Sequence, residues 1–252
     1  MVHFEQHEHI AVITLDRPEV RNAIDVADAE RIEALIDSIE MDDSVWMSII
    51  TGTDTVFCSG ANLAAIAAGG SPAKTARGGF AGLVTRSRTK PMIAAVNGPA
   101  VAGGCEIVLA CDLVVASSAA SFGLSEVKRS MVAAGGGLYH LPQVLPRNIA
   151  MELAVTGDRI TAQRAYELGL VNELAEPSDL MNAALALADR VGANAPLAVR
   201  ETRRVLLDGM TQDATQAMAV AEESMTRIRK TEDFAEGARA FLEKRTPQWR
   251  CR

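Results

Sequence analysis

Three short segments combine residue types able to polarise a carbonyl and move protons. Phe57 to Leu63 (FCSGANL) carries an apolar run into Ser59, Gly60, Ala61 and Asn62 at a helix start, where backbone N–H groups have no intrahelical acceptor. Asn97 to Asp112 (NGPAVAGGCEIVLACD) places Gly103 and Gly104 at the opening of a helix whose next turn bears Glu106. Glycine there lets a ligand approach the backbone, and the helix N-terminus adds positive potential. Ser121 to Val127 (SFGLSEV) is a second strand-to-helix transition, and it presents Glu126. Taken singly, the glycines turn the chain and Glu126 is a first-turn acid stabilised by the helix dipole. Taken together, two sets of backbone donors and two carboxylates describe an oxyanion hole served by an acid and a base. A carboxyl group acts as a general acid near neutrality only when its pKa is raised, which apolar neighbours such as Phe122 and Val127 would arrange.

The elements that must position these groups alternate along the chain. His9 to Leu15 (HIAVITL) reads as a core strand, and Asp16 and Pro18 turn the chain after it. From Asp25 the residues Ala29, Ile32, Leu35, Ile36 and Ile39 recur at helical spacing, which predicts an amphipathic helix. Val45 to Thr51, Pro91 to Val96 and Leu113 to Ala116 read as further buried strands, so strands should pair in parallel through helical crossovers. Leu63 to Pro91 is rich in Ala, Gly, Ser and Thr, with basic residues at Lys74, Arg77, Arg86, Arg88 and Lys90, and is expected to be mobile helix and loop. Beyond Thr161 only LVNELA after Gly169 reads as a strand. The pattern is helical from Ser178, with starts at Pro196 and Thr231, so a core over 1–190 and a helical subdomain over 191–252 are expected.

Composition excludes several function classes. The 252 residues carry 25 Lys and Arg against 32 Asp and Glu, a net charge of −7 that disfavours nucleic acid as a partner, and only 4% aromatics. Cys58, Cys105, Cys111 and Cys251 match no zinc spacing, and nothing before His3, His7 and His9 reads as a signal peptide; reduced thiols in a cytoplasm are expected. The apolar stretch from Pro91 to Phe122 is interrupted by Asn97, Glu106 and Asp112, so no membrane span is expected. The segment GGSPAKT has Ala73 where a phosphate loop needs glycine before Lys74. His7 and His9 share a face of a possible edge strand but lack a third ligand, and His140 has no nucleophile partner in an elbow motif. No metal site is expected.

The chain resembles the crotonase, or enoyl-CoA hydratase/isomerase, superfamily over nearly its whole length. The likeness runs through LDRPEVRNAID at Leu15 to Asp25, FCSGANL, KPMIAAVNGPAVAGGCE, SFGLSEV, the AGGG-x-x-x-LP segment at Ala134 to Pro142, TGDRITAQRAYELGLVN at Thr156 to Asn172 and AFLEKRTPQW at Ala240 to Trp249. The resemblance implies an α/β fold, a spiral of ββα turns with a C-terminal helical trimerisation region, and assembly as a homotrimer or dimer of trimers. It implies an acyl-CoA thioester as substrate and no separate cofactor. The thioester carbonyl would enter a hole made by the N–H groups of Ala61 and Gly103, and Glu106 and Glu126 would be the two hydratase glutamates. Arg21 and Ala23 would lie near the pantetheine entrance, with Ser59, Asn62, Leu63 and Gly104 around the cavity, Phe241 near the adenine and Lys244 near the 3′-phosphate.

Retention of both glutamates favours hydration of a 2-enoyl-CoA. Asn62, Ser130 and Ala133 depart from the family's usual Asp, Gly and Pro. The GGFAGL segment at Gly78 to Leu83 and the EKRTPQW ending are similar to the carnitinyl-CoA dehydratase branch. A double-bond isomerase and a non-catalytic acyl-CoA-binding protein are the alternatives, since a fold does not by itself carry function.

Overall fold

The apolar run after His9 does form a strand, but it is the second of a hairpin. In the computed structural model, which describes residues 1–69 and 73–252, β1 (Val2–His7) pairs antiparallel with β2 (Ile10–Leu15). Gly70, Ser71 and Pro72, on which part of the GGSPAKT reading falls, lie outside the described residues. Asp25 caps helix α1 (Val26–Met41) through a capping box with Asp28, and the buried residues of α1 include Ala29, Ile32, Leu35, Ile36 and Ile39, the stripe expected from their spacing.

Then come β3 (Met47–Gly52), α2 (Leu63–Ala67), the two-residue strands β4 (Lys74–Thr75) and β5 (Gly79–Phe80), β6 (Met92–Val96), β7 (Ala100–Val101), α3 (Gly103–Leu109), β8 (Leu113–Ser117) and β9 (Ser121–Gly123). The chain continues through α4 (Gly137–Val144), α5 (Arg147–Thr156), β10 (Ile160–Thr161), α6 (Ala162–Glu167) and β11 (Glu173–Ala175). It ends in α7 (Leu180–Gly192), α8 (Pro196–Gly209), α9 (Ala214–Ile228) and α10 (Glu232–Glu243).

The main sheet has the order β1-β2-β3-β6-β8-β11, and every pair after the hairpin is parallel. Its inner strands β2, β3, β6 and β8 are buried on both faces, as parallel strands with helical crossovers are, while β1 at the edge is mostly exposed. Alternate residues feed two cores. Ile13, Ile50, Ala94 and Ala116 face the α1 and α3 side, while Val12, Ile49, Ile93 and Val115 pack with Leu180, Ala184 and Leu187 of α7.

A second, smaller layer fixes the handoff from sheet to site. Strands β10, β9 and β7 form a three-stranded sheet, and isolated bridges join Cys58 to Ala100 and Ile24 to Ala61. Each of four successive segments thus gives one strand to the main sheet and then one extended stretch to the second layer: β2 then Ile24, β3 then Cys58, β6 then β7, β8 then β9. That repetition is the spiral.

The corners between the layers are stitched by two asparagines. Asn22 Oδ1 accepts from the Arg17 N–H at 2.8 Å and its amide donates to the carbonyls of Thr53 and Val56. Asn97 accepts from the Gly52 N–H and donates to Thr53, Asp54 and Val56. Gly98 is packed so closely on Thr55 that any Cβ would overlap its carbonyl.

Three expectations change. His7 ends β1 and His9 lies beyond a turn through Glu8, where His9 bonds the Ser44 carbonyl at 2.7 Å and stacks on Trp46, so the two do not share a strand face. The strand-to-helix transition at Glu126 is a single 3-10 turn, Glu126–Arg129. The Gly-rich connector folds onto α1: Arg77 and Arg86 pair with Asp37, and Lys90, 1% exposed, donates from Nζ to the carbonyls of Ile39 and Asp42 at the end of that helix. The helical C-terminal pattern is observed, with α7 packed on the sheet and α8 paired with α9. Among the described residues no helix is long and apolar enough to cross a membrane.

Candidate active site

The first two segments meet because the second layer pairs them. The Val101 N–H donates to the Cys58 carbonyl at 3.0 Å, and a Cβ on Gly104 would overlap that same carbonyl. A Cβ on Gly60 would stand 3.0 Å from the Gly103 nitrogen. Glycine at 60 and 104 is therefore what allows the two backbones to touch. Ala61 is held on its other side by Ile24, which donates to Gly60 and accepts from the Asn62 N–H. Gly103 is the first residue of α3, after Ala102 at a φ of 52°. Neither the Ala61 N–H nor the Gly103 N–H has an acceptor among the described residues. Two neighbouring backbone donors are thus left available for one external oxygen.

Glu106 lies one turn into α3 and is 5% exposed. Its Oε1 accepts from the Gly137 N–H at 3.1 Å, and it also receives the Gly135 N–H. A Cβ on Gly135 would overlap Glu106 Oε2, so the run Gly135–Gly137 is a glycine cradle for this carboxylate. Burial pushes the Glu106 pKa up and the two N–H groups partly offset that shift.

Glu126 is 8% exposed, and its Oε2 has no hydrogen-bond partner among the described residues. Burial, opposed by its own N–H and reinforced by the charge of Glu106, raises its pKa from 4.5 to about 7. Glu126 thus lies within electrostatic reach of Glu106. Glu126 also lines an apolar cavity of about 500 Å³ whose wall includes Leu124, Val127, Ala133, Leu138 and Leu141. Two buried carboxyls whose pKa values are raised, one of them to about 7, can exchange protons with a ligand near neutrality.

The other expected site residues divide into two groups. Arg21, Ala23, Ser59 and Asn62 lie on the adjoining backbone, where the Ser59 N–H donates to the Arg21 carbonyl and Asn62 to Ile24. Leu63 begins α2 directly after them and is 41% exposed. Phe241 and Lys244 are elsewhere: they sit at the end of α10, where Phe241 is 83% exposed and Lys244 ends the helix in a left-handed conformation. The polar contacts of α10 run to the C-terminal tail, from Asp233 to Arg250 and Cys251 and from Glu236 to Arg245 and Gln248. Within one chain the structure brings Glu106, Glu126, Ala61 and Gly103 together and leaves Phe241 and Lys244 apart from them.

Sequence reasoning did not identify the glycine cradle as a partner of Glu106, nor Phe80, whose ring packs against Gly103. The run of three glycines at Gly135–Gly137 was the available signal for the first; nothing local marks the second. His140 is half-buried on α4, which lowers its pKa, with its ring against Gly136. Among the described residues no group of three or more His, Cys, Asp or Glu is arranged to hold a metal ion.

Comparison with known proteins bears on this geometry. The family described as enoyl-CoA hydratase/isomerase matches residues 5–252. The crystal structure of an enoyl-CoA hydratase from Mycobacterium tuberculosis H37Rv superposes with a TM-score of 0.95 at 42% identity, covering 100% of this chain and 99% of that one. A mevalonyl-coenzyme A hydratase of Aspergillus fumigatus is 39% identical over 96% of this chain and 92% of its own length. A carnitinyl-CoA dehydratase of Proteus mirabilis is 36% identical over 100% of this chain and 98% of its own.

Proposed function

The chain belongs to the enoyl-CoA hydratase/isomerase family and has the crotonase fold, and from that premise we propose that it is an enoyl-CoA hydratase, adding water reversibly across the C2–C3 bond of a 2-enoyl-CoA thioester. The thioester oxygen accepts from the Ala61 and Gly103 N–H groups, which draws electron density from C3. Glu106, as carboxylate, takes a proton from water as the water oxygen bonds to C3. The C2–C3 π electrons move into the enolate held by the two donors, and C2 then takes the proton of Glu126. The acyl chain extends into the apolar cavity beside Glu126.

The observation that carries this reading is the pairing of two buried carboxyls of unequal environment with two unpaired backbone donors. Carnitinyl-CoA dehydration is the same hydro-lyase chemistry run the other way on a charged acyl group, and the likeness to such dehydratases at 36% identity makes it the second reading. Arg21 and Ala23 would border the pantetheine arm, and Phe241 and Lys244 would meet the nucleotide end of CoA in an assembled homotrimer or dimer of trimers. The four free cysteines suit a reducing cytoplasm.

Incubation with crotonyl-CoA, followed by loss of enoyl-thioester absorbance and by product mass, tests the proposal. Glu106→Gln and Glu126→Gln should each lower the rate by about 10²- to 10⁴-fold while CoA-thioester binding persists. Near-parental hydration by both variants overturns it.

A further inference from the structure

Phe80 stands where no site residue was expected. It closes the β4–β5 hairpin, whose strands pair Lys74 with Phe80 and Thr75 with Gly79. The hairpin is fastened to α1 rather than to the site: Thr75 Oγ1 donates to Glu33 at 2.6 Å, and Arg77 donates to Glu33 at 3.1 Å and Asp37 at 2.5 Å. The chain after the hairpin is fastened too, since the Thr85 N–H donates to Gly78 and a Cβ on Gly82 would overlap the Ala29 carbonyl of α1. Around the ring the backbone is left-handed at Gly79 (φ 63°), Ala81 (φ 55°) and Gly82 (φ 63°). For Ala81 that conformation is strained, and the surrounding contacts hold it in place.

What this fastening positions is the ring. Phe80 is half-buried, and a Cβ on Gly103 would overlap the ring edge, with Cδ1 at 3.1 Å and two further ring carbons closer. The ring therefore lies in van der Waals contact with the residue whose N–H is offered to the thioester oxygen. C2 of an acyl group is two bonds from that oxygen, whereas the carbons beyond C4 are carried away toward Glu126 and the apolar cavity.

Building on the hydratase reading, we propose that Phe80 is a specificity-determining residue that excludes substrates substituted at C2, while leaving chain length to the cavity beside Glu126. The ring packs on the hydrophobic core beside Gly103, so a methyl on C2 of a thioester held at the Gly103 N–H would crowd it. A methyl-sized difference in a pocket is worth about 10- to 200-fold in discrimination.

The test compares crotonyl-CoA, 2-methylcrotonyl-CoA and dec-2-enoyl-CoA with the parent protein, Phe80→Leu and Phe80→Ala. The parent should favour crotonyl-CoA over the 2-methyl substrate in kcat/KM, and Phe80→Ala should shrink that preference by about tenfold or more. Phe80→Leu, which keeps an apolar contact on Gly103, should fall between. The dec-2-enoyl to crotonyl ratio should be the same in all three. Calorimetric binding of butyryl-CoA and 2-methylbutyryl-CoA gives the same comparison without turnover, so it stands even where no variant hydrates. An unchanged 2-methyl preference in Phe80→Ala, by rate and by binding, overturns the assignment while leaving the hydratase reading intact. A change in chain-length preference of the same size also overturns it, because the ring would then line the tail. Failure of the parent to hydrate any of the three points instead at the reaction.

Discussion

The two glutamates carry the same functional group and differ in what surrounds it. Glu106 receives N–H donors from the glycine cradle, whereas Glu126 is left with a buried oxygen that nothing in the described chain satisfies. Donors favour the charged form and desolvation favours the neutral one; at Glu126 desolvation prevails and the carboxyl keeps its proton to about pH 7. The sign of the pH dependence follows. Between the ordinary carboxyl value of 4.5 and about 7 the folded chain binds a proton at Glu126 that the unfolded chain has released. Stability should therefore fall as pH rises through that window and level off above it. The proposed hydration draws on the same proton, so kcat should decline as pH rises through about 7. Denaturant titrations and rate profiles across that range check both, and Glu126→Gln should remove the Glu126 contribution and so shift the stability slope toward positive values. A parent profile flat through neutrality counts against Glu126 as the acid.

At the scale of elements, the site depends on corners rather than on the strands themselves. The segments that supply Ala61 and Gly103 leave the main sheet through turns joined by Asn22 and Asn97, and Val56 O accepts from both amides. Asn22 is 2% exposed and adopts a left-handed φ of 53°, which asparagine tolerates better than alanine. Asn22→Ala should lower folding stability by about 1–3 kcal/mol, because the Arg17 N–H loses its acceptor in a buried corner and the Thr53 and Val56 carbonyls keep only the Asn97 amide. It should also slow turnover, since the Ser59–Asn62 backbone hangs from the same corner through Arg21 and Ile24. Thermal melting and crotonyl-CoA rates measure the two effects. Unchanged turnover in a destabilised variant would detach the corner from the site.

The whole molecule leaves apolar surface that its own core does not cover. In α8 only Pro196 is buried and in α9 only Ser224, while Leu206, Met210 and Met218 are more than half exposed. Of the residues expected to exceed what a helical appendage can bury, Leu206, Met210, Met218 and Met225 are exposed, whereas Leu197, Val199, Val205, Val220 and Ile228 are partly buried. Patches of this kind mark interfaces between chains. Light scattering at micromolar concentration should give three or six times the 26.8 kDa chain mass, and a monomer mass would sink the trimer. The sequence by itself determined the four core strands β2, β3, β6 and β8, the helices that start at Asp25 and Thr231 and the buried stripe of α1, because periodicity is written within a few neighbouring residues. It missed β1 as a hairpin partner, and also β4, β5, β7 and β10, which at two residues are too short to show a period. Only the tertiary structure decided that Gly137 meets Glu106 across 31 residues and that Phe80 lies on Gly103. Those contacts depend on how successive turns of the spiral stack, and stacking is set by long-range register that no local window contains.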